Sequence, residues 1–163
     1  MSAHTLRVLR AGSVRIARSR PLMALIALTA IVLLGGCATT SVPSATATQA
    51  PLDRLLAFQE KTDETTATLV ITRDQGFLGS AGYYSVTLNG TVAARLDAGE
   101  TARFYMKPGE ILLRAGRDPL GKGLCGLGQD EWTQRETVVH QGETKYFRLS
   151  IDQNGKTDIQ RSE

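Results

Sequence analysis

The chain has 163 residues, 42% hydrophobic and 6% aromatic, which suffices for one modest domain plus its ends. Its 19 Lys and Arg against 16 Asp and Glu give a formal net charge of +3, a balance that taken alone suggests nucleic acid or an anionic surface. The distribution excludes that. Arg7, Arg10, Arg15, Arg18 and Arg20 account for five of the basic residues and the first 36 residues hold no acid, so 14 basic residues face 16 acidic ones in the remainder, about −2. Neither nucleic acid nor a nucleotide is an expected partner.

The basic start is followed by an apolar run of 14 residues, from Pro21 through Leu22-Met23-Ala24-Leu25-Ile26 to Leu34. A basic n-region and an apolar h-region of this length form the layout of a secretory signal. A spanning helix needs roughly 17–25 apolar residues, so the run is short for a permanent span. The arginines orient it from the cytoplasmic side. No Arg-Arg pair occurs in this region, which favours the general secretion route.

The run ends on Leu34-Gly35-Gly36-Cys37, which resembles the lipobox of bacterial lipoproteins. Small residues let a membrane peptidase reach the backbone, and the thiol is the group able to form a thioether to diacylglycerol. The resemblance implies a signal peptide over 1–36, cleavage between Gly36 and Cys37, and a diacylglyceryl and an N-acyl chain on Cys37. At about 0.8 kcal/mol per buried CH₂, two or more chains hold a protein stably on a membrane. The residue after the cysteine is Ala38, not Asp. Among such lipoproteins that implies sorting to the periplasmic face of the outer membrane.

Residues 38–51 contain no charge, no aromatic and almost no large apolar group. Such a stretch buries too little to offset its ordering entropy, so a flexible tether is expected, spanning on the order of 20 Å. Over 52–63, Leu52, Leu55, Leu56 and Gln59 recur at i, i+3, i+4 and i+7 behind Pro51, which predicts one short helix lying on the domain.

From residue 65 to 163 the period changes to two. Alternating or β-branched runs at 67–73, 83–88, 91–96, 101–106, 110–115, 132–140, 144–151 and 156–160 predict about eight strands. Asn89-Gly90 between two of them is a strong hairpin signal, and Lys107-Pro108-Gly109-Glu110 reads as a second hairpin turn. The expectation is an all-β fold, a small antiparallel β-sandwich. The stretch from Tyr83 to Ala115, with Asn89-Gly90, Ala98-Gly99-Glu100 and Pro108-Gly109-Glu110 between its strands, resembles PEGA and carboxypeptidase-regulatory-like modules. It also resembles a group of bacterial lipoproteins that share a small uncharacterised domain. The resemblance covers about residues 65–150 and implies an immunoglobulin- or transthyretin-like sandwich at a cell envelope. It implies no catalytic residue.

Patterns that carry chemistry are few. Gly116 to Lys122 fits G-x-x-x-x-G-K, but Gly123 stands where a phosphate loop needs Ser or Thr. Gly121, Gly123 and Gly126 fit G-x-G-x-x-G without the strand before and helix after that the motif needs. Asp152, Asn154 and Asp158 lack the spacing of a calcium loop, and no metal or other cofactor is expected. Asn89-Gly90-Thr91 is a glycosylation sequon only in form. Cys125 is the one cysteine left unmodified, with three readings open: a buried inert side chain, a disulfide to a second chain, or a functional thiol. His140 is the one histidine beyond the signal, so no multi-histidine metal site can form. Trp132, Tyr83, Tyr84 and Tyr105 are candidates for contact or for cross-strand packing.

The favoured reading is a non-enzymatic envelope lipoprotein, tied to the membrane through Cys37, whose sandwich binds an envelope partner or serves a structural role. The alternative is a small envelope enzyme or redox-active thiol protein using Cys125 and His140. If Cys125 bridges two chains, non-reducing electrophoresis gives a dimer that Cys125→Ser abolishes. A monomer under both conditions removes the bridge.

Overall fold

The computed structural model describes residues 39–76, 82–118, 132–152 and 156–162. Within these residues nine strands form two packed sheets. They are β1 (Thr48–Gln49), β2 (Ala67–Arg73), β3 (Tyr84–Leu88), β4 (Thr91–Leu96), β5 (Glu100–Met106), β6 (Gly109–Arg117), β7 (Trp132–Val139), β8 (Thr144–Ile151) and β9 (Thr157–Arg161). Sheet I has the order β1-β5-β2-β8-β9 and sheet II the order β4-β3-β6-β7. The expected all-β sandwich is therefore present, and β2 to β9 lie close to where alternation places them. Pairing is antiparallel except at β2–β8 and β1–β5, which are parallel.

Alternation builds the core. Leu69, Ile71, Phe104, Phe147, Leu149 and Ile159 from sheet I meet Tyr84, Val86, Leu88, Leu96, Ile111 and Leu113 from sheet II, all buried. Each such side chain contributes roughly 1.5–3 kcal/mol of transfer free energy. The inward series Ala67, Leu69, Ile71 continues to Arg73, which is only 1% exposed. Its guanidinium donates to the carbonyls of Leu96 (2.6 Å) and Gly82 (2.8 Å) and lies 4.5 Å from the Tyr84 ring centre. At the opposite end Lys145 precedes inward-facing Phe147 and Leu149, and its Nζ donates to the Val138 carbonyl. Two buried cations thus close the two ends of the apolar layer.

The connections correct one expectation. Asn89-Gly90 does close a hairpin, with the positive φ of 48° and 83° that a type I′ turn requires. Lys107-Pro108-Gly109-Glu110 closes no hairpin, because β5 belongs to sheet I and β6 to sheet II. A Pro-Gly turn signals reversal of the chain and carries no information about which layer receives the next strand. The link through Asp97 and Gly99 likewise passes from sheet II to sheet I, and Gly99 (φ 78°) is required there because a Cβ would overlap the Gln75 side chain.

The segment before β2 departs from expectation twice. The flexible tether over 38–51 is instead bound chain from its first described residue. Thr40 and Gln75 exchange main-chain hydrogen bonds at 2.6 and 3.0 Å, and Ala50 donates to the Thr101 carbonyl at 2.9 Å. β1 pairs with β5. The helix expected over 52–63 is a single 3-10 turn, Leu52–Arg54, after which Leu55 bridges to Ala94 and Phe58 takes a φ of 63°. Both departures have one cause: open strand edges offer main-chain partners that neither apolar content nor helical period registers. A helix of 12 residues is marginal alone, and its amides find better partners here.

Those partners lie on both sheets. Tyr105 donates to the Phe58 carbonyl (2.8 Å) and Gln59 Nε2 to the Arg103 carbonyl (3.1 Å), along the outer edge of β5. On β4 a bulge leaves Ala93 without a partner on β3, since Val86 faces Ala94 and Thr87 faces Val92. The Ala93 carbonyl accepts from Leu56 (2.8 Å) and Ala57 (3.2 Å). Arg54 fastens the strap to both sheets: its guanidinium grips Glu100 through two bonds of 2.7 and 2.5 Å and donates to the Arg95 carbonyl at 3.3 Å. The Glu100 carboxylate raises the pKa of Arg54 further, chiefly through that hydrogen bond. Arg54→Ala is expected to lower stability by about 2–3 kcal/mol because it leaves Glu100 poorly solvated. In urea unfolding, Arg54→Ala and Glu100→Gln together should cost less than the sum of the two; strictly additive losses would mean the pair is uncoupled.

Candidate functional site

The two outer faces of the sandwich differ. On sheet I, Ser44, Ala45 and Gln49 line a groove with Val70, Arg103 and Tyr146, so the chain's own segment lies over this face. Beneath it Thr72 and Thr101 share a buried hydroxyl–hydroxyl bond of 2.9 Å. Asp74, its side chain fully buried, pairs with Arg148 and accepts from Thr39 Oγ1 at 3.4 Å. Sheet II carries no such cover within the described residues. Its outward positions include Val92, Trp132 and Val138, which are 41%, 46% and 45% exposed.

Two shallow grooves run across this bare face. One is lined by Ser85, Thr87, Val92, Arg114, Arg117 and Trp132. The other is lined by Asn89, Glu110, Leu112, Glu136 and Val138, among others. Arginines thus sit at one end of the face and carboxylates at the other. Trp132 lies opposite Gly116, and the Arg114 guanidinium carbon stands 3.6 Å from its ring centre. An exposed contact of this kind is worth about 0.5–1 kcal/mol. It makes a flat, cation-capped aromatic platform suited to contact.

The residues singled out in the sequence fare differently. Tyr84 is core, Tyr83 is half-buried with Arg54 4.5 Å over its ring, and Tyr105 is half-buried on β5. Trp132 alone of the four is broadly exposed. His140 is exposed at the turn after β7, where its backbone N–H donates to Glu143 Oε2 at 2.9 Å and lowers the Glu143 pKa. Gly36, Cys37 and Cys125 lie outside the described residues, and so does any Cys125–His140 pairing. Asp158 is taken by Arg135 (3.0 Å) and Asp152 accepts from the Lys156 amide (2.9 Å). Among the described residues no group of three or more His, Cys, Asp or Glu is placed to hold a metal, and no helix is long and apolar enough to cross a membrane.

Arg54, Arg73, Arg114 and Glu100 escape motif reading. Arg73 alone had a usable signal, the inward alternation it continues. The clamp between Arg54 and Glu100 joins residues 46 apart and had none.

No protein-family model matches the chain, and no curated protein sequence matches it.

The stack can be tested through Trp132, the only tryptophan. Arg114→Ala should increase acrylamide quenching of its fluorescence, whereas an unchanged quenching constant would mean that the two side chains do not stack in solution.

Proposed function

We propose that this chain is a lipid-anchored envelope protein whose β-sandwich serves as a binding or structural module without chemistry of its own. One observation carries the reading. Thr39, two positions past Cys37, is already hydrogen-bonded to the domain, so a chain processed at the lipobox resemblance would carry its lipid close to a fixed point of the sandwich. The two-sheet architecture supports kinship with PEGA-like modules, and the cation-capped aromatic platform on sheet II supports a contact role over catalysis. On this reading the protein resides at the periplasmic face of the outer membrane and meets a protein partner there.

The test is metabolic labelling with radioactive palmitate in a Gram-negative host, followed by separation of inner and outer membranes. The full chain should carry label and fractionate with the outer membrane, and Cys37→Ser should lose both. Label persisting in Cys37→Ser would overturn the anchor. Labelled protein confined to the inner membrane would overturn the location.

A further inference from the structure

We infer that the anchored sandwich stands upright on the bilayer, with the end that holds Thr39 against the lipid headgroups and the Asn89-Gly90 turn pointing away. The inference rests on the lipid anchor proposed above and concerns what that anchor does to the domain.

Thr39 is fastened at one end of the sandwich by several bonds. Its Oγ1 donates to the Ile151 carbonyl at 3.2 Å, and the Ile151 amide donates to the same hydroxyl at 3.0 Å. Thr40 and Gln75 exchange their main-chain bonds directly beside it. Asp74, which Thr39 also reaches, is itself held by Arg148. Only Ala38 separates this fixed point from Cys37, so the two Cα atoms lie at most about 7 Å apart and the sulfur at most about 10 Å from Thr39. A diacylglyceryl group on that sulfur sits at headgroup level. The Thr39 end therefore cannot lift far from the membrane, and the domain has no length of free chain on which to swing.

Strand direction then sets the rest. β2, β4, β6 and β8 finish at this end, and β3, β5, β7 and β9 begin there, as their registers require. The Asn89-Gly90 turn and the His140 to Glu143 turn lie at the other end. A strand of eight residues such as β7 or β8 places that end about 25 Å further out. Trp132 supplies an independent indication. It opens β7 at the Thr39 end and is 46% exposed. Amphipathic rings of Trp and Tyr favour the membrane–water boundary. The long axis of the bare sheet II face consequently runs along the membrane normal, with its arginine end low and its Glu110–Val138 end high.

Trp132 is also the probe. The full chain, purified from host membranes with the lipid on Cys37 verified by intact mass, is reconstituted into phosphatidylcholine vesicles containing a nitroxide on the headgroup. Trp132 emission should be strongly quenched. In a Trp132→Phe, Gln141→Trp variant, which moves the indole to the exposed turn at the far end, quenching should be several-fold weaker. His140→Trp on the same background serves as a second far-end reporter if Gln141→Trp alters the urea midpoint. A flexible Gly-Ser insert of about 15 residues after Ala38 should bring near and far values together. Equal quenching at both ends in lipid-bearing protein without the insert overturns the upright orientation while leaving the anchor standing. A mass without lipid overturns the anchor, and with it the inference.

Discussion

The main-chain groups along the open edges of two sheets must find partners, and most of this molecule follows from how they do. A sandwich leaves edge strands on each side, and an unpaired edge invites another chain. Here the residues before β2 run along β5, cross to β4 and pair with both, using main-chain bonds wherever the sequence is too small or too polar to pack. The bulge at Ala93 turns a carbonyl out of its own sheet and toward the strap. On the opposite side the two layers are joined by side chains: Thr133 Oγ1 donates to the Thr157 carbonyl and Arg135 Nε to that of Ile159 at 3.2 Å. One side is closed by added chain, the other by β7 reaching across to β9.

The same economy governs the ends of the apolar layer. Arg73 and Lys145 occupy positions where alternation would place one more aliphatic side chain. Each instead spends its cation on carbonyls at strand ends that would otherwise be desolvated, which is the condition under which a buried charge is tolerated. Arginine suits the first position because its planar head can donate in two directions while stacking on Tyr84. The core proper is left to Leu, Ile, Val, Phe, Tyr, Met and Ala.

Fold class and strand positions were legible because period-two alternation reports burial directly, and Asn89-Gly90 reports its own turn. What alternation cannot report is which layer a strand joins, so the link at Pro108 reads as a hairpin when it is a crossing. Composition misjudged residues 39–51 for a related reason. Ala, Thr, Ser and Pro bury little, yet any non-proline residue can donate one hydrogen bond and every residue can accept. Leu52, Leu55 and Leu56 kept a helical spacing that tertiary pairing overrode, leaving Leu52 84% exposed. The exposed platform at Trp132 and Arg114 depends on the register between β6 and β7, which no local motif encodes.

The bond between Thr39 and Ile151 spans 112 residues. A chain emerging amino-terminus first cannot make it until nearly all of the domain has appeared. The parallel pairing of β2 with β8 waits on the same event, since β8 is the next-to-last strand. Completion of this end of the fold therefore comes late, and contacts so remote in sequence are expected to form slowly. Until β8 arrives, β2 keeps one open edge and Thr39 lacks Ile151, although Thr40 and β1 already have their partners in Gln75 and β5, so the last tie of the amino-terminal segment is also the last to become possible.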